Sequence, residues 1–267
     1  MKLSIIIPVL NEAAAIEAAL RPLQVLRGPD VEVIVADGAS DDATVPLAQL
    51  LADRVIAAPR GRARQMNAGA AVATGEVLLF LHADTTLPEA APRAILQAFM
   101  PEEPPVPTVL SSPLGENSSS GAVSVNRGDG VAASVNRGDG VATSPRNCWG
   151  RFDVVITGHH PMLRVIARSM NRRSRLTGIA TGDQAMFMTR AAFDAVGGFP
   201  DQPLMEDIEM SHRLRRLGRP ACLDLKVATS GRRWESRGVW RTMFLMWRLR
   251  LAYFLGASPA TLAARYR

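Results

Sequence analysis

The sequence predicts an α/β fold: a Rossmann-like, mostly parallel sheet flanked by helices, followed by an amphipathic helical tail. Three observations predict it. Short apolar runs alternate with helical patterns four times within about 80 residues, the signature of parallel strands joined by crossover helices. Acidic and amide side chains fall where those strands end, which is where open α/β sheets bind ligands. The 267 residues suffice for one well-buried domain with appendages, and not for two large ones.

Residues 3–9 are a continuous, mostly β-branched run suited to a buried strand. Asn11 is placed to cap a helix whose apolar positions Ile16, Leu20, Leu23 and Leu26 share one face, with Pro22 kinking it. Residues 31–35 form the second strand, 41–51 a helix with Asp41 as its cap, and 54–58 a short third strand. A small-residue helix over 65–73 leads into a fourth strand at 76–81, and 88–100 reads as a helix.

The composition then shifts. Residues 101–147 are rich in Pro, Ser, Gly and Asn and hold a tandem ten-residue repeat starting at Ser124 and again at Ser134. Two units are too few for a solenoid. A flexible insertion is expected here, separating a first half (1–100) from a second (148–235). The second half carries a strand at 151–156, a basic helix at 162–175 and a strand at 184–188. A helix ending at Gly197-Gly198, a helix at 207–217 stopped by Gly218 and a strand at 221–228 complete it. In the tail, 236–267, residues 239–256 are apolar but interrupted by Arg241, Arg248 and Arg250. That is too charged to cross a bilayer comfortably, so a helix packed on the domain or in peripheral contact with a membrane surface is expected.

A formal charge of +6 comes mainly from arginine, clustered at 60–64, 164–175 and 213–250. Such clusters suit a phosphorylated substrate, an anionic membrane or nucleic acid. Aromatics at 5% speak against a base-stacking surface, and no nucleic-acid partner is expected. Cys148 and Cys222 stand far apart in no Cys-x-x-Cys arrangement. They fit a reducing compartment. With no charged leader ahead of an apolar stretch, a cytoplasmic location is expected, or the inner face of the membrane.

Three constellations carry chemistry. Asn11-Glu12 and Asp37-Gly38-Ala39-Ser40-Asp41-Asp42 put acceptors at two adjacent strand ends, placed for a nucleobase N–H and ribose hydroxyls. Capping accounts for Asn11 and Asp41 but not for Glu12, Asp37 and Asp42 together. His82-Ala83-Asp84 leaves the fourth strand, where a carboxylate can hold a divalent cation (Mn²⁺ or Mg²⁺) against a diphosphate. Glu206-Asp207 stands at a loop-to-helix junction: the helix dipole favours acids there, and so does a general base for an acceptor hydroxyl. Arg232-Arg233-Trp234 joins cation to aromatic and could close over the diphosphate and the acceptor.

Taken in order, Pro8-Val-Leu-Asn11-Glu12, Asp37 to Asp42, Arg60-Gly-Arg-Ala-Arg-Gln-Met-Asn67-Ala-Gly69, Leu81-His-Ala-Asp84, Gly182-Asp183-Gln184, Gly197-Gly-Phe…Glu206-Asp207 and Arg232-Arg-Trp234 resemble a family 2 glycosyltransferase of the GT-A fold. Trp149-Gly-Arg-Phe-Asp153 and Gly256-Ala-Ser-Pro259 further resemble a bacterial subgroup labelled arsenosugar biosynthesis glycosyltransferase. The resemblance implies a nucleoside diphosphate sugar as donor and a small-molecule or lipid-linked acceptor. It implies donor contacts from Pro8, Asn11, Glu12, Asp37, Gly38 and Asp42, with Arg60 and Asn67 near base and ribose, and Arg233 and Trp234 count among the donor-binding residues as well. It puts Asp84, with His82, on the cation, Asp183 and Gln184 on the acceptor side, and makes Asp207, beside Glu206, the base of an inverting displacement. Two positions depart from the family pattern. His82 occupies the first acidic place of Asp-x-Asp, and Ser230 stands where Gln begins Gln-x-x-Arg-Trp. A donor-binding protein without turnover and a basic nucleic-acid-binding protein are the rival readings.

Overall fold

The computed structural model describes residues 1–100 and 147–266. Apart from Asn147, the expected insertion at 101–147 lies outside the described residues. The strands are β1 (Leu3–Val9), β2 (Val31–Asp37), β3 (Arg54–Ala57), β4 (Val77–Phe80), β5 (Thr85–Thr86), β6 (Trp149–Thr157), β7 (Met186–Thr189) and β8 (Ala221–Ser230). The helices are α1 (Ile16–Leu20), α2 (Thr44–Gln49), α3 (Arg62–Val72), α4 (Ala91–Phe99) and α5 (Met162–Thr177). They continue with α6 (Arg190–Ala195), α7 (Glu206–Leu214), α8 (Arg232–Arg237), α9 (Val239–Phe254) and α10 (Pro259–Tyr266).

All strands join one sheet in the order β3-β2-β1-β4-β7-β6-β8-β5. The expected parallel arrangement holds from β3 to β4. Beyond β4 the sheet is mixed: β7 runs antiparallel to both β4 and β6, β6 and β8 are parallel, and β5 is antiparallel to β8. Alternation along β1 sets the layers, because successive side chains point to opposite faces. Ile5 and Ile7 join α1, α4 and α5 in one core, whereas Ile6 joins α3, α6 and α7 in the other. Apolar residues on both faces of the strands thus answer to helices on both sides.

Local signals misled at the first two helices. α1 starts after Ala15 and makes no side-chain cap; Asn11 lies four residues earlier with φ of 55°. Pro22 is the second residue of a 3₁₀ segment, Arg21–Val25, whose first turn tolerates a missing N–H, and it does not kink a longer α-helix. α2 starts after Ala43, so Asp41 is not its cap either. The tail adds α8 and α10 to the expected α9. Leu249 and Leu262 pack with Met205, which precedes α7. Among the described residues no helix is long and apolar enough to cross a membrane.

Candidate active site

The carboxyl ends of β1 and β4, the turn before β7, the start of α7 and the end of β8 converge on a cleft of about 220 Å³. Of the residues the sequence singled out, Pro8, Glu12, His82, Asp84, Asp183, Glu206, Asp207, Arg233 and Trp234 line it. Arg62, Ser230 and Tyr266 line it too and were not anticipated as site residues.

Asp207 is fixed at the start of α7. Its Oδ2 accepts a 2.9 Å hydrogen bond from the Gly182 N–H, and its Oδ1 accepts from Ile208 N–H at 2.8 Å. Met205, just ahead of it, takes a left-handed backbone with φ of 66°, which turns the chain sharply into the helix. That is an uncommon conformation for a residue bearing a side chain, and such strain collects at functional sites. Burial pushes the Asp207 carboxyl up to about 6; the Glu206 charge beside it adds to the rise, while the Gly182 hydrogen bond and the Arg62 charge oppose it. Glu206 is itself buried and is held at 3.0 Å by Arg62 of α3. The two adjacent acids thus differ: Glu206 is matched to an arginine, and Asp207 faces the cleft with a carboxyl poised near neutrality.

His82 lies against the same turn. Its Nδ1 is 3.5 Å from Asp183 Oδ1, and its ring packs so close to Gly182 that a Cβ there would come within 2.3 Å of Cε1. Burial acts to raise the Asp183 carboxyl, but its hydrogen bond and charge interaction with His82, with help from Arg62 and Arg233, bring it below the ordinary range. At the other wall, burial raises the Glu12 carboxyl; the Asp84 charge adds to this, and Arg232 and Arg233 offset it. Arg233 stacks its guanidinium 5.5 Å from the Tyr266 ring centroid and donates to its hydroxyl, tying α8 to the end of α10.

The remaining expected residues sit behind or beside the cleft. Asn11 stitches two loops together: its N–H donates to Ser40 Oγ at 2.9 Å, and its side-chain oxygen accepts from Asp41 N–H at 3.0 Å. Asp42 accepts from Ala13 N–H at 3.1 Å and from Thr44 N–H at 2.9 Å. Asp37 accepts from both the N–H and the hydroxyl of Ser40. Gly38 leaves room for the buried Gln65, whose Nε2 would be 2.9 Å from a Cβ at that position; Gln65 donates to the carbonyls of Val9 and Ala36. Arg60 reaches the Gly38 and Ala39 carbonyls only at 3.5 and 3.4 Å. Asn67 clamps Phe199 through both backbone groups, at 2.8 and 2.9 Å. Gln184 turns inward, fully buried: its amide donates to Ser174 Oγ at 3.0 Å and its oxygen accepts from Thr181 N–H at 3.3 Å.

Residues 4–157, more than half of the chain, match Glycosyl transferase family 2. The chain belongs to this family. This family 2 glycosyltransferase is 39% identical over 109 residues to the PGL/p-HBAD biosynthesis glycosyltransferases of Mycobacterium tuberculosis and Mycobacterium bovis. That match covers 38% of this chain and 43% of theirs, so the chain spans less than half the length of these curated relatives. Among solved structures, Staphylococcus aureus TarS 1-349 in complex with UDP-GlcNAc superposes with a TM-score of 0.59 at 16% identity, covering 86% of this chain and 58% of that one. The mannosyltransferase PcManGT from Pyrobaculum calidifontis, in complex with GDP-Man and Mn²⁺, gives 0.56 at 18% identity, with 97% and 66% covered. Glucosyl-3-phosphoglycerate synthase from M. tuberculosis, with Mn²⁺ and UDP, gives 0.52 at 15%, with 85% and 71% covered. At these identities the structures speak for the fold: the enzyme has the GT-A architecture.

Proposed function

We propose that the enzyme moves a sugar from a nucleoside diphosphate sugar to an acceptor hydroxyl with inversion at the anomeric carbon, and that Asp207 is its base. The observation that carries this reading is the Asp207 carboxyl. It faces the cleft, is anchored by the Gly182 N–H and is raised to about 6, close to the pH at which it must accept a proton. In the step, the acceptor oxygen bonds to the anomeric carbon as its proton passes to Asp207. The bond from that carbon to the diphosphate oxygen breaks, and the electron pair leaves with the diphosphate. One base suffices for a single in-line displacement. Arg232 and Arg233, whose charges both act on Glu12 and of which Arg233 also acts on Asp183, supply positive charge for the departing diphosphate.

A divalent cation fits the Glu12–Asp84 wall. Two carboxylates there repel each other, and a cation carried by a diphosphate needs only one or two protein oxygens. Asp84 would hold it, and His82, paired with Asp183, stays on the acceptor side. When bound, the cation neutralises charge on the diphosphate. Because Cys148 and Cys222 are unpaired, we place the enzyme in the cytoplasm.

The test is a thermal-shift screen of UDP-, GDP- and dTDP-sugars with Mn²⁺, Mg²⁺ or EDTA, followed by turnover with the stabilising donor. Stabilisation by one nucleotide class together with release of its diphosphate is expected. Binding without release under any acceptor condition would make the protein a donor-binding sensor instead.

A further inference from the structure

A second space adjoins the cleft. Between α5 and α9 runs a groove of about 300 Å³ whose walls are chiefly apolar, among them Met162, Val165, Ile166 and Met243. Trp234 and Met246 line both this groove and the catalytic cleft, so the two adjoin across these side chains. The chain has only four tryptophans, and Trp234, Trp240 and Trp247 line this groove. Outward from it, α9 shows a stripe of large apolar side chains at helical spacing: Trp240, Phe244, Trp247, Leu251 and Phe254 are 52% to 84% exposed. Scattered exposed apolar residues need no explanation, but a contiguous stripe opening into a groove does.

We infer that this groove takes the hydrocarbon chain of the acceptor, so that the substrate is an amphiphile whose polar head enters the cleft beside Asp207. The inference rests on the transferase reading above and names the class of its acceptor. The shared wall decides the occupant. An acceptor hydroxyl that reaches Asp207 past Trp234 and Met246 has the rest of its molecule passing these same two side chains, and the surface offered there is apolar. Each chain methylene placed in the groove leaves water for an apolar wall, so a few of them suffice to orient the head. The exposed arginines Arg164 and Arg168 follow the same edge of α5 as Val165, and positive charge beside an apolar slot suits an amphiphile at an anionic surface.

The test uses a decyl glucoside brominated at its chain end, kept below its critical micelle concentration, as a quencher of tryptophan emission in the full chain. Saturable quenching is expected in the wild type. Ser169→Phe, which fills the groove, and Met243→Glu, which puts a charge into it, should each weaken the probe about tenfold or more. Stabilisation by the nucleoside diphosphate should be unchanged in both variants. No quenching, or equal quenching in all three proteins, would overturn the inference. So would a response to phosphatidylglycerol vesicles with none to the monomeric probe, which would make the face a membrane seat alone. A dimer by sedimentation that excludes the probe would assign the groove to a second copy and overturn it too. Loss of nucleotide stabilisation with quenching intact would count against the transferase reading and not against the groove.

Discussion

Arg62 and Glu206 stand 144 residues apart in sequence and meet at 3.0 Å beside Asp207. The pair sets the charge that the Asp207 carboxyl feels. Glu206 raises the Asp207 carboxyl and Arg62 lowers it. Glu206→Gln should therefore move the acid limb of the kcat/KM profile to lower pH, and Arg62→Met should move it to higher pH. Arg62→Met should also cost about 1–3 kcal/mol by leaving a buried carboxylate unpaired. Limbs that move together would detach Asp207 from the titration.

Asp207→Asn should lower kcat by about 10²- to 10⁴-fold, the span typical of a lost general base, while donor binding survives. Its stability gives an independent reading. A carboxyl raised to about 6 in the folded state holds its proton more tightly there than in the unfolded chain. Its contribution is full below the unfolded value near 3.8 and is lost as pH rises through 6. Relative to wild type, the Asn variant should gain up to about 3 kcal/mol between pH 4 and pH 7.5. Urea titrations at the two pH values measure this, and a gap that stays constant would mean an ordinary carboxyl.

Gly182 is both the donor to Asp207 and the contact of His82. Gly182→Ala should reduce kcat far more than donor affinity, because the new methyl group must displace either the ring or the turn. His82→Ala in the same chain should restore part of the loss. Steady-state kinetics of the single and double variants test this coupling, and additive losses would show that ring and turn act separately.

Asp84→Asn should abolish the difference between Mn²⁺ and EDTA in nucleotide-induced thermal stabilisation. His82→Ala should preserve it, since the contacts of that ring are Gly182 and Asp183. The reverse pattern would move the cation to the imidazole.

How much of this was legible in the sequence depended on how local the cause was. β1 to β4 announce themselves as apolar runs, and the cleft residues at their ends follow from that. Asn11 and Asp41 have cap chemistry, yet Asn11 spends its side chain on the Asp41 N–H in the neighbouring loop. A composition rule sees the acceptor but not its partner. Gln184 lies next to the acid of its motif, and only the fold shows that it turns inward to Ser174. Arg62 stands among several arginines and becomes distinct only once α3 meets α7. β5, a two-residue strand, and the antiparallel β7 depend on pairing that no local pattern encodes.

The strand order also limits how the chain can be divided. β4 pairs with β7, and β5 crosses to the far side of the sheet to pair with β8, so strands of the first hundred residues stand at both borders of strands from the second half. A fragment ending near Met100 would present the bare edge of β4 to solvent, an apolar template open to aggregation. Split-protein or domain-swap engineering of this enzyme therefore needs its cut outside the sheet's interlock, and the first hundred residues expressed alone are a poor object for binding studies.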